Sequence, residues 1–210
     1  MIPHEAFQPI IDELKRRPLE YNGYRDKAGA GLSQAFGVVN RRCLPPDYSR
    51  QNWKRSYLYH LLIDFADKYV DISYNAITLN QNYRADKHYD KHNDGNSFLV
   101  AFGSYTGGDL LIHEGDLSGA HNIWCKPIKT DFSKILHSVD HFTGDRYSLV
   151  YYTFTHPQLQ PLPPASVRYE DGKWVFYRGD EPITKGLPHP LRGRSREEIL
   201  STAAKKKQQV

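Results

Sequence analysis

The chain has 210 residues, of which 39% are hydrophobic and 13% aromatic, and it carries a net charge of +4. That length suits one domain with a sizeable core, and no stretch approaches the roughly 18 consecutive apolar residues of a membrane helix. Two cysteines are too few for a disulfide framework, and Met1-Ile2-Pro3-His4-Glu5 lacks the charged-then-apolar pattern of a secretory leader, so an intracellular setting, cytoplasm or nucleus, is expected.

Along residues 5–16, Phe7, Ile10, Ile11 and Leu14 recur at helical spacing, and Pro18 closes the helix. Gly23, Gly29 and Gly31 mark a loop. Residues 49–69 form the clearest helix. Ser49 is its candidate N-cap, and Trp53, Leu58, Leu61, Leu62, Phe65 and Tyr69 form its apolar stripe. The period then changes to two, predicting a strand over 72–83. Further strands are predicted at 97–103, 109–113, 121–128, 134–142 and 146–154. They are separated by turn signals at Asp94-Gly95, Gly107-Gly108, Gly115-Asp116 and Thr143-Gly144-Asp145. Short strands without intervening helices predict an antiparallel sandwich or barrel with helices packed outside.

Pro157, Pro161, Pro163 and Pro164 end this region, and Asp171-Gly172 between 167–170 and 174–177 signals a hairpin. The organisation expected is a helical region at 1–70, a β core at 71–156, a Pro-rich link and hairpin at 157–186 and a basic tail at 187–210, with a short helix at 195–207. Cations gather twice: at Arg41, Arg42, Arg50, Lys54 and Arg55, and at Arg192, Arg194, Arg196 and Lys205 to Lys207. Both read as solvated faces or as phosphate-binding patches.

The chemistry-bearing residues concentrate in the β region. His88-Tyr89-Asp90 is an H-x-D triplet, and residues i and i+2 of a strand point the same way. Both side chains could therefore grip one metal ion, the third ligand coming from a neighbouring strand. His137 fits that need, completing the two-imidazole, one-carboxylate face of an iron(II) oxygenase. The triplet by itself is weak: a chain with ten histidines is expected to contain one by chance, and His92-Asn93-Asp94 is a second. Asp94-Gly95 reads as a turn, which favours His88 and Asp90. His141 rivals His137 on the same strand face. The offset from His137 to Arg146 leaves room for a glycine turn, whereas that from His141 leaves little. Arg146 then lies beside His137 on the next strand, able to bind a carboxylate bidentately, and Ser148 shares its face. His113 and His121 read as structural or exposed.

These elements resemble the iron(II)/2-oxoglutarate-dependent dioxygenase superfamily and, within it, the TET/JBP group of nucleobase oxygenases. The resemblance covers about 72–154 and is carried by Leu79-Asn80-Gln81-Asn82-Tyr83, by His88 to Asp94, by Ser97 to Gly103, by Gly107-Gly108-Asp109-Leu110 and by His137 to Tyr152. AlkB-type repair enzymes carry a second Arg after the one that binds 2-oxoglutarate, and residues 146–152 contain none. The Cys-rich region of animal TET enzymes is also missing.

The resemblance implies a β-rich α+β chain with a double-stranded β-helix core, jelly-roll or cupin-like, flanked by N-terminal helices. It implies iron(II) on His88, Asp90 and His137, and 2-oxoglutarate on Arg146 and Ser148 with Asn80 and Tyr83 nearby. Dioxygen is the oxidant and ascorbate a stimulant. The expected reaction hydroxylates the methyl group of 5-methylcytosine or thymine in DNA, releasing succinate and carbon dioxide. Asn82, Lys91, Asn93, Arg41 and Arg42 are the expected substrate contacts, and Trp53, Tyr83, Tyr105 or an aromatic of the 167–177 hairpin could stack on a flipped base. A hydroxylase of a protein side chain or small molecule is the alternative, and a non-catalytic nucleic-acid-binding module the third reading.

Overall fold

The computed structural model describes residues 1–20, 29–41 and 44–184. Arg42 and the basic tail with its expected helix lie outside the described residues. After a 3₁₀ turn at His4–Phe7, helix α1 (Gln8–Arg16) starts with a proline in its first turn and buries Ile10, Ile11 and Leu14. Strands β1 (Gly29–Arg41) and β2 (Leu44–Tyr48) follow, then helices α2 (Gln51–Lys54) and α3 (Ser56–Tyr69).

Two expectations for this region are corrected. The segment opening at Gly29 is a long strand rather than a loop, so residues 1–70 are not wholly helical. The helix expected over 49–69 is broken at Arg55, with φ −130° and ψ 47°. Arg55 is buried and donates to the carbonyls of Arg17 and Pro18 and to Gln34 Oε1. It is a structural cation tying three segments together, not part of a basic surface. Ser49 does serve the helix start: its Oγ accepts the Gln51 N–H at 3.1 Å and donates to the Ala35 carbonyl at 2.6 Å.

The remaining strands are β3 (Ala76–Ala85), β4 (Asn93–Gly107), β5 (Leu110–Ile112), β6 (Gly119–His121), β7 (Ile128–Thr130), β8 (His137–Val139), β9 (Phe142–Phe154), β10 (Ala165–Glu170), β11 (Lys173–Arg178) and β12 (Glu181–Ile183). The strand expected over 121–128 is two short strands, because residues between β6 and β7 leave the ladder and Cys125 takes φ +52°. The one expected over 134–142 shortens to β8, where the His141 carbonyl turns to accept the Gly108 N–H at 2.8 Å.

One sheet has the order β2-β1-β3-β9-β4-β7 and a second β6-β5-β8. His88 adds to the second sheet by pairing with His137 through two backbone bonds of 3.0 and 3.1 Å. From β3 onward the chain passes between the sheets at each step: β3, His88, β4, β5 and β6, β7, β8, β9. That alternation is a double-stranded β-helix.

Alternate residues of β4 and β9 point to opposite sides. Phe98, Val100, Phe102, Leu149 and Tyr151 face the helices, where Phe7 stacks on Phe102 and touches Phe65. Leu99, Ala101, Leu110, Ile112, Ile123 and Phe132 form a smaller apolar cluster on the other side of the large sheet. The hairpin β10–β11 turns through Asp171 and Gly172, both at positive φ as a type I′ turn requires, and its Trp174 stacks on His60 of α3. Trp53 packs on Phe176, so it belongs to the core rather than to a base-stacking surface. Among the described residues no helix is long and apolar enough to cross a membrane.

Candidate metal centre

His88 and Asp90 lie on the short segment between β3 and β4, and His137 opens β8. Their donor atoms all lie within 4.8 Å of one another. Asp90 sits between the imidazoles, its Oδ1 3.5 Å from His88 Nε2 and its Oδ2 4.0 Å from His137 Nε2. Imidazole binds a first-row metal at about 2.1 Å, so two ligands at right angles stand about 3 Å apart; this trio needs only a small contraction to close on an ion.

The tautomers agree with that use. His88 Nδ1 lies 2.7 Å from the Asp86 carbonyl and His137 Nδ1 2.9 Å from the Ile135 carbonyl. A carbonyl can only accept, so each Nδ1 carries the proton and each Nε2 keeps its lone pair. Burial lowers the His137 pKa and favours the neutral, ligating form. The donor set therefore fits a divalent metal that prefers nitrogen and oxygen ligands and leaves positions open.

The rival residues stand outside this donor group. His92 packs beside the rings of Phe154 and His156, Asp94 is exposed at the start of β4, and neither joins the donor group. His141 is exposed. His113 pairs with Ser138, and His121 with the Leu117 carbonyl.

The three donors line a cavity of about 530 Å³ that also reaches Asn80, Tyr83, Arg146 and Ser148. Arg146 is only 2% exposed. Its Nε and Nη2 have no hydrogen-bond partner among the described residues. Those two nitrogens form one edge of the guanidinium fork. A buried cation left in this state costs free energy, and a carboxylate would satisfy both nitrogens at once. Asn80 Nδ2 donates to Ser148 Oγ at 3.1 Å, and Asn80 Oδ1 is buried without a hydrogen-bond partner among the described residues. The residues present therefore fit an acidic co-substrate at the Arg146 end of the cavity.

Asn80 and Tyr83 both line this cavity, yet residues three apart on a regular strand face opposite ways. A β-bulge resolves the conflict. Leu32 pairs with Gln81 but Ala30 with Arg84, so Gly31 alone opposes Asn82 and Tyr83. Asn82 takes φ +50°, which shifts the alternation and turns Tyr83 inward. Gly31 is required there, since a Cβ would come within 2.2 Å of the Asn82 carbonyl oxygen.

The expected substrate contacts divide. Lys91 and Asn93 line the cavity, Asn93 also reaching toward Asp90 Oδ2 at 3.4 Å and donating to Ser97 Oγ at 3.1 Å. Asn82 is corrected: it does not line the cavity, and its side chain accepts the Arg146 backbone N–H. Arg41 is corrected as well, its guanidinium being engaged by Asp47 and the Pro45 carbonyl away from the cavity. Phe142 and Gly108 are two further positions that shape the site. The Arg146 guanidinium carbon lies 5.5 Å from the ring centroids of both Tyr105 and Phe142, and Gly108 packs against its Nε and Cδ. The Gly107-Gly108 dipeptide was the visible signal, read as a turn.

No family model matches the chain, and no curated protein does. Solved structures do share similarity with it. NgTET1 in complex with 5mC DNA aligns at TM-score 0.49 and 14% identity over 76% of this chain and 72% of that one. A 2OG-Fe(II) oxygenase family oxidoreductase from Burkholderia pseudomallei aligns at TM-score 0.47 and 16% identity over 75% and 81%. A Pseudomonas putida prolyl-4-hydroxylase aligns at TM-score 0.46 and 12% identity over 74% and 89%.

Proposed function

We propose that the chain is an iron(II)- and 2-oxoglutarate-dependent dioxygenase. The observation that carries this reading is the buried, unpartnered edge of Arg146 in the wall of the same cavity as the three metal donors. His88, Asp90 and His137 hold the ion from one side. Arg146 binds the distal carboxylate of 2-oxoglutarate with Nε and Nη2, and Ser148, set by its bond from Asn80, donates its hydroxyl to the same group. Tyr83 closes the cavity beside them. When bound, iron(II) supplies the activation of dioxygen that couples decarboxylation of 2-oxoglutarate to hydroxylation of a C–H bond.

The substrate we favour is a methylated pyrimidine base in DNA, flipped from the stack into the cavity. A volume of about 530 Å³ lies within the usual range of ligand pockets, about 300–1,000 Å³. Lys91 and Asn93 offer hydrogen bonds in its wall, and the net charge of +4 favours a polyanion. A hydroxylase of a protein side chain or small molecule would use the same metal and co-substrate residues. That second reading is favoured by the loss of Arg41 and Arg55 from the basic region expected to hold phosphates.

The deciding experiment incubates the protein with methylated DNA, iron(II), 2-oxoglutarate, ascorbate and dioxygen, then measures succinate and analyses nucleosides by mass spectrometry. Succinate together with a hydroxymethylated base is the expected result. Succinate with unmodified bases selects the second reading. Neither product, with DNA binding retained, would leave a nucleic-acid-binding module.

A further inference from the structure

The crossover from β7 to β8 carries a residue that meets two of the metal donors at once. Phe132 lies two residues past Thr130, the end of β7. Its carbonyl accepts the backbone N–H of Asp90 at 3.0 Å. Its ring stands 4.6 Å from the His137 imidazole, centroid to centroid, at a tilt of 48°. Phe132 is 1% exposed, packs in the apolar cluster with Leu110 and Ile123, and lines the same cavity as the donors. The turn that presents it is tied by Asp131, whose Oδ1 accepts the Ser133 N–H at 3.1 Å and whose Oδ2 pairs with Lys134 at 2.7 Å. His88 is joined to His137 by backbone bonds of 3.0 and 3.1 Å, and their rings lie 4.3 Å apart. The three donors are therefore linked in a chain of direct contacts, and Phe132 is the link from His137 to Asp90.

We propose that Phe132 is a positioning residue for the metal centre, holding Asp90 with its backbone carbonyl and His137 with its ring. This rests on the metal-site reading above. The backbone pair His88–His137 sets the two histidines against each other but leaves Asp90 two residues further along. The Phe132 carbonyl fixes the Asp90 backbone there, and with it the point from which the carboxylate reaches between the imidazoles. His137 is held at Nδ1 by the Ile135 carbonyl, and a ring held at one atom can still rock about that bond. A close-packed aromatic ring resists displacement. Phe132 therefore limits the rocking and keeps His137 Nε2 facing Asp90 Oδ2, 4.0 Å away. Without the ring and its turn, the three donors keep their identities but not their spacing.

The test is a cobalt(II) titration of the full chain, followed by visible absorption and calorimetry, with far-UV circular dichroism as the check on folding. Phe132→Leu keeps the carbonyl and an apolar side chain but loses the flat ring. It is expected to weaken cobalt binding about tenfold, the low end of what losing an outer support costs a metal site, and to alter the cobalt spectrum. Asp131→Ala unties the turn without removing a donor and is expected to act in the same direction by a smaller factor; it carries the test if Phe132→Leu does not fold. Ile123→Val loosens the same apolar cluster from a position that does not line the cavity, and is expected to bind cobalt as wild type. Wild-type cobalt affinity and spectrum in Phe132→Leu, or in Asp131→Ala where only that variant folds, overturn the proposal while leaving the metal site standing. So does weakening in Ile123→Val equal to that in the variant tested, which would assign the effect to a looser core. No cobalt binding by the wild-type chain overturns the metal site and this proposal together.

Discussion

The side-chain oxygen of Asn82 accepts the backbone N–H of Arg146 at 2.8 Å, joining the bulge in β3 to the residue proposed to bind the co-substrate. Asn82 holds φ +50°, a region that asparagine and glycine enter readily and β-branched residues do not. Asn82→Gly keeps the backbone shape and loses the acceptor. Asn82→Val loses both, at a cost of about 1–3 kcal/mol in backbone strain. Chemical denaturation is expected to show the valine variant as the less stable. Succinate kinetics are expected to show a raised 2-oxoglutarate requirement in both, larger for valine. Wild-type stability and kinetics in Asn82→Val would remove any role for the bulge.

Gly108 controls the open edge of Arg146 from the other side. It has φ +74°, and a Cβ there would sit 2.9 Å from Arg146 Nε, one of the two unpartnered nitrogens, and 3.0 Å from Phe142 Cβ. Phe142 and Tyr105 bracket the guanidinium, so it cannot retreat without repacking. Gly108→Ala is expected to raise the KM for 2-oxoglutarate about tenfold, equivalent to about 1.4 kcal/mol, while metal affinity stays at the wild-type value. Parallel measurement of both quantities checks this, and an equal loss of metal affinity would point to a general collapse of the core.

Much of this site was legible in the sequence because its parts obey local rules. The R-x-S pair follows from strand alternation in β9, whereas the turn expected at Thr143-Gly144-Asp145 lies inside β9, where Gly144 pairs with Tyr105, and the H-x-D triplet sits on the segment between β3 and β4 rather than on a strand. The N-terminal strand β1 was hidden because Gly29 and Gly31 look like a loop; in a strand, glycine marks the partner of a bulge, and that partner lies some fifty residues downstream. Arg55 looked like surface charge because its acceptors, Arg17, Pro18 and Gln34, come from distant segments that no local pattern connects to it. Asn82 was grouped with the substrate contacts because its neighbours Asn80 and Tyr83 face the cavity. Only the positive φ at Asn82, a three-dimensional fact, explains how both can do so.

Arg146 also yields a prediction independent of turnover. The wild-type chain with metal bound is expected to gain about 2.7 kcal/mol of stability at 2-oxoglutarate concentrations near 100 times Kd. For a domain of this size that is a rise in Tm of about 5–10 °C. Arg146→Leu is expected to lose the rise. It should not be strongly destabilised without ligand, because it removes a buried cation whose Nε and Nη2 have no hydrogen-bond partner among the described residues. Thermal melts of both proteins with and without 2-oxoglutarate check the point, and a full ligand-induced shift in Arg146→Leu would mean the co-substrate binds elsewhere.

The choice between the two H-x-D triplets gives the sharpest contrast. His88 and Asp90 meet His137, whereas the His92 ring lies against Phe154 and His156. His88→Ala and Asp90→Ala are each expected to abolish 2-oxoglutarate-dependent succinate release and to weaken cobalt(II) binding severely, since two remaining ligands cannot enclose an ion on one face. Asp94→Ala removes an exposed carboxylate that touches no donor and is expected to retain wild-type metal affinity. His92→Ala is expected to bind metal normally as well, with any kinetic change confined to the substrate because His92 lines the cavity wall. Loss of metal binding in Asp94→Ala together with its retention in Asp90→Ala would reverse the assignment. The same titration separates His137 from His141: the first variant should fail to bind and the second should bind as wild type, because the His141 side chain is exposed and its hydrogen bonds to Gly108 and Asp140 are made by its backbone, which alanine preserves.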